Sequence, residues 1–169
     1  MPILRQDEVD IISHSAEQTR RLGVRLGAFL SPGDVVCLSG DMGAGKTAFA
    51  SGVGAGWGSL TGLHSPTYNL VHEHYRAADS TRLIHLDCYR LNDDHDAETL
   101  GLEDIFDGSA AVLIEWPERI QSHLPPERLW VELRVFEITR RNLLFVPKGK
   151  RYEQLLEAFR GATFGSPRA

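Results

Sequence analysis

Apolar and polar positions change period several times along the chain, and each change marks an element. Leu22, Leu26, Phe29 and Leu30 recur at three- and four-residue spacing, which predicts an amphipathic helix. Ser15-Ala16-Glu17-Gln18 opens that helix as a capping box, with Ser15 as the N-cap and Gln18 reaching back. Ser31-Pro32-Gly33-Asp34 supplies the turn chemistry that ends it. Ile11-Ile12, just upstream, reads as the end of a short strand. Val35-Val36-Cys37-Leu38 is an unbroken apolar run with β-branched residues, the pattern of a buried strand. Ala48-Phe49-Ala50 begins a second helix. It is expected to end in the stretch 52–58, because glycine in a helix interior costs about 1 kcal/mol relative to alanine.

Further on, Tyr68 to Tyr75 alternates as a strand does, and Arg82-Leu83-Ile84-His85-Leu86-Asp87 reads as another. Only a polar turn at Ala77 to Ser80 separates them. A parallel crossover needs about a dozen residues, so this pair should be an antiparallel hairpin. Residues 93–107 are acidic with short helical signals. Ala110-Ala111-Val112-Leu113-Ile114-Glu115 is a buried type of strand that ends in a carboxylate. Pro125-Pro126 marks a turn, and Leu129 to Val135 with Leu143 to Val146 form a late strand pair. A terminal helix is expected over Arg151 to Arg160. The pattern implies one domain over residues 1–160 and a flexible tail over 161–169.

Composition narrows the partners. Hydrophobic residues are 42% and charged residues 24% of the 169, ordinary for a soluble domain. The net charge of -5 argues against autonomous nucleic-acid binding, which needs cations to neutralise phosphates. Cys37 and Cys88 each sit in an apolar run and read as buried reduced thiols. No apolar run approaches the roughly 20 residues that span a bilayer. Met1 to Asp10 carries acids and no hydrophobic signal core, so no membrane association and a cytoplasmic address are expected.

The strongest chemical signal follows the first buried strand. Gly40-Asp41-Met42-Gly43-Ala44-Gly45-Lys46-Thr47 has the spacing G-x-x-x-x-G-K-T of a P-loop. Glycines let backbone N–H groups turn inward around phosphate oxygens. Lys46 offers a point charge to the β- and γ-phosphates, and the Thr47 hydroxyl a ligand to Mg2+. The strand before and the helix after are the context this motif requires. A P-loop hydrolase also needs a strand-end acid near the magnesium and a group that orients water. Asp87 and Glu115 both qualify, and Glu115 has the stronger claim because the run before it is more fully apolar. Ser65-Pro66-Thr67-Tyr68 either brings a hydroxyl to the γ-phosphate or opens a strand. His72 and His74 share a strand face, a metal pair only if a third ligand joins them. Trp116 either stacks on a base or packs, and Arg140-Arg141 either meets phosphate or is solvated. The absence of an Asn-Lys-x-Asp segment favours adenine over guanine.

Taken in order, the P-loop, Ser65-Pro66-Thr67-Tyr68, His85-Leu86-Asp87-Cys88-Tyr89-Arg90-Leu91 and Glu115-Trp116-Pro117-Glu118 resemble the bacterial TsaE (YjeE) family over roughly residues 15–145. Its members are ATPases needed to make threonylcarbamoyl-adenosine at position 37 of ANN-decoding tRNAs. The resemblance implies an α/β fold: a single-domain, three-layer P-loop NTPase with a mixed parallel and antiparallel sheet. It implies ATP and Mg2+ as cofactors, weak hydrolysis in isolation, and TsaD and TsaB homologues as partners. Transfer of the threonylcarbamoyl group would belong to TsaD, tRNA would be met only through the complex, and hydrolysis would reset that complex. Nucleotide contacts are implied for Ser15, Ala16, Gly40, Gly43, Ala44, Gly45, Lys46, Thr47, Ala48, Trp116 and one of Arg140 and Arg141. Thr47, Glu115 and Asp87 would hold magnesium, with Asp87, Glu115 and Thr67 as the catalytic set. Two positions depart from the family: Ala48 replaces a common threonine and Met42 a leucine. A small-molecule kinase built on the same P-loop is the alternative, and the chain lacks the lid-like run of arginines such kinases use. A nucleotide switch without turnover is the third reading, and Asp87 and Glu115 tell against it.

Overall fold

Val35–Ser39, Arg82–Asp87, Ala110–Glu115 and Arg128–Val135 are strands β2, β4, β5 and β6, and they run parallel through the centre of the molecule. The computed structural model describes residues 5–63, 70–92 and 94–165. Val9–Ser13 (β1), Val71–Tyr75 (β3) and Arg141–Lys148 (β7) add antiparallel pairs at the two edges. The order across the sheet is β1-β7-β6-β2-β5-β4-β3. The hairpin expected from the short polar turn is observed, with Val71 opposite Leu86 and Tyr75 opposite Arg82.

Side-chain alternation divides the sheet into two cores. Val36 and Leu38 of β2, Ala111 and Leu113 of β5, and Leu129, Val131 and Leu133 of β6 face one side. Helices Ala16–Gly27 (α1), Lys46–Trp57 (α2) and Lys150–Phe164 (α5) supply apolar side chains to that side. Val35, Cys37, Val112 and Ile114 face the other, under the short helices Asp94–Glu98 (α3) and Leu102–Ile105 (α4) and a 3-10 segment at Pro117–His123. Because both of their faces are covered, β2 and β5 carry continuous apolar runs. The outcome is the three-layer α/β architecture with a mixed sheet. Cys37 and Cys88 are both free, and both are buried in the second core. Burial pushes each thiol up to about 12.

The first helix starts as the capping signature predicts: the Gln18 N–H donates to Ser15 Oγ at 3.1 Å. The Gln18 side chain reaches back to the His14 N–H at 2.8 Å, one residue earlier than a standard box. It ends at Gly27, so Phe29 and Leu30 lie beyond the helix and Ser31 to Asp34 form a separate turn. There Asp34 accepts two bonds from the Arg151 guanidinium, at 2.8 and 2.9 Å, and the Val35 N–H donates to Tyr152 Oη at 2.8 Å. These contacts dock α5, which continues four residues past its expected end at Arg160. Residues 161–164 are therefore helical, and residues 166–169 lie outside the described part. Strand β7 is also longer than Leu143 to Val146, because it pairs along the whole of β6.

The glycines of α2 are the largest difference from propensity. Gly52, Gly54 and Gly56 lie inside the helix, which closes only at Trp57 with Gly58 as its cap. The reason is the neighbouring helix. A Cβ on Gly52 would fall 2.0 Å from Arg20 O of α1, and one on Gly23 of α1 would fall 2.2 Å from Phe49 O. The two helices cross backbone to backbone, and that close contact offsets the propensity cost. Gly52→Ala is expected to lower folding stability by about 2–3 kcal/mol through overpacking. Urea unfolding reads it directly, and a loss below about 0.5 kcal/mol would mean that the helices separate at little cost.

Candidate functional site

Strands β2, β4 and β5 finish at the same edge of the sheet. Leu38 pairs with Glu115, and Glu115 with Asp87, so both strand-end acids stand side by side in register. Neighbouring strands lie about 4.8 Å apart, which places the two carboxylates within reach of one small ligand. In open α/β sheets, ligands bind at this carboxyl edge. The chain leaves β2 through a glycine loop and enters α2 at Lys46. Gly40 has φ +149°, and a Cβ there would lie 2.4 Å from Leu133 O. Gly45, with φ +105°, caps α2 in the left-handed region. Both positions demand glycine, and the loop's N–H groups together with the helix start form an anion-binding geometry.

Met42, Gly43, Gly45, Lys46, Thr47, Leu70, Asp87, Tyr89, Arg90, Glu115 and Trp116 line one cavity of about 530 Å³. Lys46 is buried, and its ammonium donates to Gly40 O and to Asp41 O, the latter at 3.0 Å. It also lies 4.3 Å above the Trp116 ring. Burial lowers the Lys46 pKa, against the opposing charges of Glu115, Glu118, Asp41 and Asp87. Burial raises the Asp87 pKa, opposed by the Tyr89 N–H that donates to its carboxylate at 3.0 Å. Glu115 is 2% exposed, with Oε2 at 2.7 Å from His85 Nε2.

Trp116 has φ 57°, the one non-glycine residue with positive φ among those described. A bulky side chain there costs about 1–3 kcal/mol and clusters at ligand clamps. The strained turn reverses the chain into Pro117 and holds the indole 5.1 Å from the Tyr89 ring and over Lys46. Below it, the Ser39 hydroxyl donates to Glu118.

Of the residues singled out from sequence, Gly43, Gly45, Lys46, Thr47, Asp87, Glu115 and Trp116 line the cavity. Gly40 and Ala44 shape the loop beneath, and Ala48 follows on α2. Ser15 and Ala16 are not lining residues. Their helix end still lies beside the loop, since a Cβ on Gly45 would sit 3.5 Å from Thr19 Cγ2. The two arginines separate. Arg141 donates to Gly43 O at 3.2 Å and to three carbonyls of its own hairpin, whereas Arg140 pairs with Glu137 at 3.6 Å. Thr67, with the rest of Ser65-Pro66-Thr67-Tyr68, lies outside the described residues. His74 is buried and bonds Thr61 Oγ1 through Nδ1 at 2.8 Å. Among the described residues no group of three or more His, Cys, Asp or Glu side chains could hold a metal, so the His72 and His74 pair gains no third ligand.

The sequence motifs contain His85, Tyr89, Arg90 and Met42 without assigning them a role in the site, and Leu70 carried no signal. Met42, Leu70, Tyr89 and Arg90 line the cavity, and His85 holds Glu115. A signal existed for His85: it is two residues before Asp87 on one strand, so both side chains project to the same face. Tyr89 and Arg90 follow the strand end, where period carries no information about direction.

The family model for threonylcarbamoyl adenosine biosynthesis protein TsaE matches residues 13–143. A tRNA threonylcarbamoyladenosine biosynthesis protein TsaE from Bacillus subtilis (strain 168) is 38% identical over 141 residues, covering 83% of this chain and 87% of its own. One from Treponema pallidum (strain Nichols) is 36% identical over 124 residues, covering 73% and 90%. The crystal structure of Bacillus subtilis YdiB matches with a TM-score of 0.79 at 31% identity, over 92% of this chain and 96% of that one. Among the described residues no helix is long and apolar enough to cross a membrane. The matched segment contains the glycine loop, both strand-end acids and the strained Trp116, and on that breadth of agreement the chain belongs to the TsaE family of threonylcarbamoyl adenosine biosynthesis proteins.

Proposed function

We propose that the chain is a magnesium-dependent ATPase that serves, with TsaD and TsaB homologues, in making threonylcarbamoyl-adenosine on tRNA in the cytoplasm. The carrying observation is the convergence of Lys46, Thr47, Asp87 and Glu115 on one cavity at the carboxyl edge of the sheet. Lys46 and the loop N–H groups would hold the β- and γ-phosphates. The oxygen set of Thr47, Asp87 and Glu115 suits a hard cation, and the mutual charge of the two acids favours one there. Bound magnesium would neutralise charge on the phosphates. Of the two acids, Asp87 is the more accessible and would orient the attacking water. Water adds to the γ-phosphorus, the bond to the β-bridging oxygen breaks, and ADP, phosphate and a proton leave.

The family relatives carry tRNA threonylcarbamoyladenosine biosynthesis in their names, which supports the pathway for this chain. With a net charge of -5, tRNA would be met through the complex rather than directly. Hydrolysis would reset the complex between turnovers and would be slow in the protein alone. Depleting the protein should lower threonylcarbamoyl-adenosine in bulk tRNA, measured by mass spectrometry of nucleosides, and a Lys46→Ala copy should fail to restore it. Unaltered nucleoside levels in a cell without a second copy would overturn the tRNA assignment.

A further inference from the structure

We propose that His85 is a positioning residue for the cation site: it fixes the Glu115 carboxylate so that one oxygen is tied and the other is offered to a divalent cation. This rests on the magnesium–nucleotide reading above and adds to it the residue that aims Glu115. The geometry is specific. His85 is fully buried on β4, and its Nε2 lies 2.7 Å from Glu115 Oε2 on β5. Glu115 lines the cavity, and no donor among the described residues meets its Oε1. With Glu115 ionised, Nε2 carries the proton and donates. The opposite ring nitrogen, Nδ1, is buried and has no partner among the described residues.

That last fact separates this imidazole from one kept for packing. An apolar side chain would fill the same core without stranding a polar atom, and burying a polar group without a partner carries a cost. The stranded Nδ1 is tolerated because the other nitrogen holds Glu115. On β3, His72 stands directly across from His85, and the His74 ring lies 6.5 Å from the His85 ring between centroids, tilted 41°. His74 is itself anchored to Thr61 at 2.8 Å, so it backs His85 and limits its rotation. The chain of contacts runs Thr61, His74, His85, Glu115, from the outer part of the sheet to the cavity. Partners that orient ligating carboxylates typically change metal affinity by about 10- to 100-fold when removed.

The test measures cation binding without relying on turnover. Mn2+ binding to the ADP-saturated protein is followed by electron paramagnetic resonance, and binding of a fluorescent ATP analogue is measured in EDTA. His85→Phe should weaken Mn2+ about 10- to 100-fold while binding in EDTA stays within about threefold. His85→Gln keeps an N–H donor at similar reach and should recover most of the Mn2+ affinity. Gln is also the variant that stays informative if Phe fails to fold. Mn2+ affinity within threefold of wild type in folded His85→Phe would overturn the proposal, as would a folded His85→Gln weakened about 100-fold. Glu115→Gln is the reference. If it loses Mn2+ and the His85 variants do not, only the positioning role fails. If the wild-type protein binds neither nucleotide nor Mn2+, the magnesium–nucleotide reading itself fails.

Discussion

Lys46→Ala should weaken ATP binding by about 100-fold or more and abolish measurable turnover. A charged hydrogen bond is worth about 1.5–3 kcal/mol, and Lys46 would make such bonds to two phosphates. Each 1.4 kcal/mol is about tenfold in affinity. The surroundings enlarge the effect. Asp41, Asp87, Glu115 and Glu118 all lie close enough to stabilise the ammonium, so removing it leaves their charge uncompensated, with Asp87 and Glu115 lining the cavity that an incoming triphosphate would enter. Titration with a fluorescent ATP analogue measures the loss. An affinity within threefold of wild type would remove the P-loop from the mechanism. Because Lys46 also sits over Trp116, the variant frees the indole, and circular dichroism should show an unaltered fold.

Glu115→Gln should cut magnesium-dependent phosphate release by about 100- to 1000-fold, the usual scale for losing one preorganised electrostatic group. Gln is the informative replacement because it retains the shape and an acceptor for His85. Alanine would leave the buried imidazole with both nitrogens unpaired. ATP binding in EDTA should survive, since the glycine loop and Lys46 are untouched. Turnover within threefold of wild type would move the metal acid elsewhere, and Asp87→Asn measured in parallel shows whether it lies one strand over. The two acids differ in setting: Glu115 is buried and tied to an imidazole, whereas Asp87 is half-buried and capped by a backbone N–H.

Much of the frame was legible before any coordinates. The runs at 35–38 and 110–115 marked two of the four parallel strands because strands covered on both faces are apolar throughout, and the patterns at 82–87 and 129–135 marked the other two as strands without their direction. The six-residue connection between β3 and β4 could only join antiparallel neighbours. Ser15 capped its helix as its side chain and Gln18 required. The differences share a cause. Helix propensity placed the end of α2 within 52–58, where it falls, but not the helix's continuation through Gly52, Gly54 and Gly56, because it knows nothing of their neighbours: the α1 backbone fills the space beside Gly52 and Gly56, and the Leu63 side chain fills that beside Gly54. Helix periodicity extended α1 to Leu30 because Phe29 and Leu30 still pack on the core from a turn.

The candidate site divides along the same line. The glycine loop spacing and the two strand-end acids are local facts: a motif of eight residues, and two carboxylates that each close an apolar run. Local sequence is enough for these because strand ends and loop glycines follow from nearest-neighbour sterics. What joined them was the β2-β5-β4 order, which sets Leu38, Glu115 and Asp87 in register though they are separated by long stretches of chain. The pairing of His85 with Glu115, the choice of Arg141 over Arg140 at the loop, and the strained Trp116 turn are long-range or conformational facts. The sequence by itself determined which groups this protein has for holding phosphate and a cation. Only the tertiary structure decided which of them face one another, because side-chain direction across a sheet depends on register between strands that no local pattern encodes.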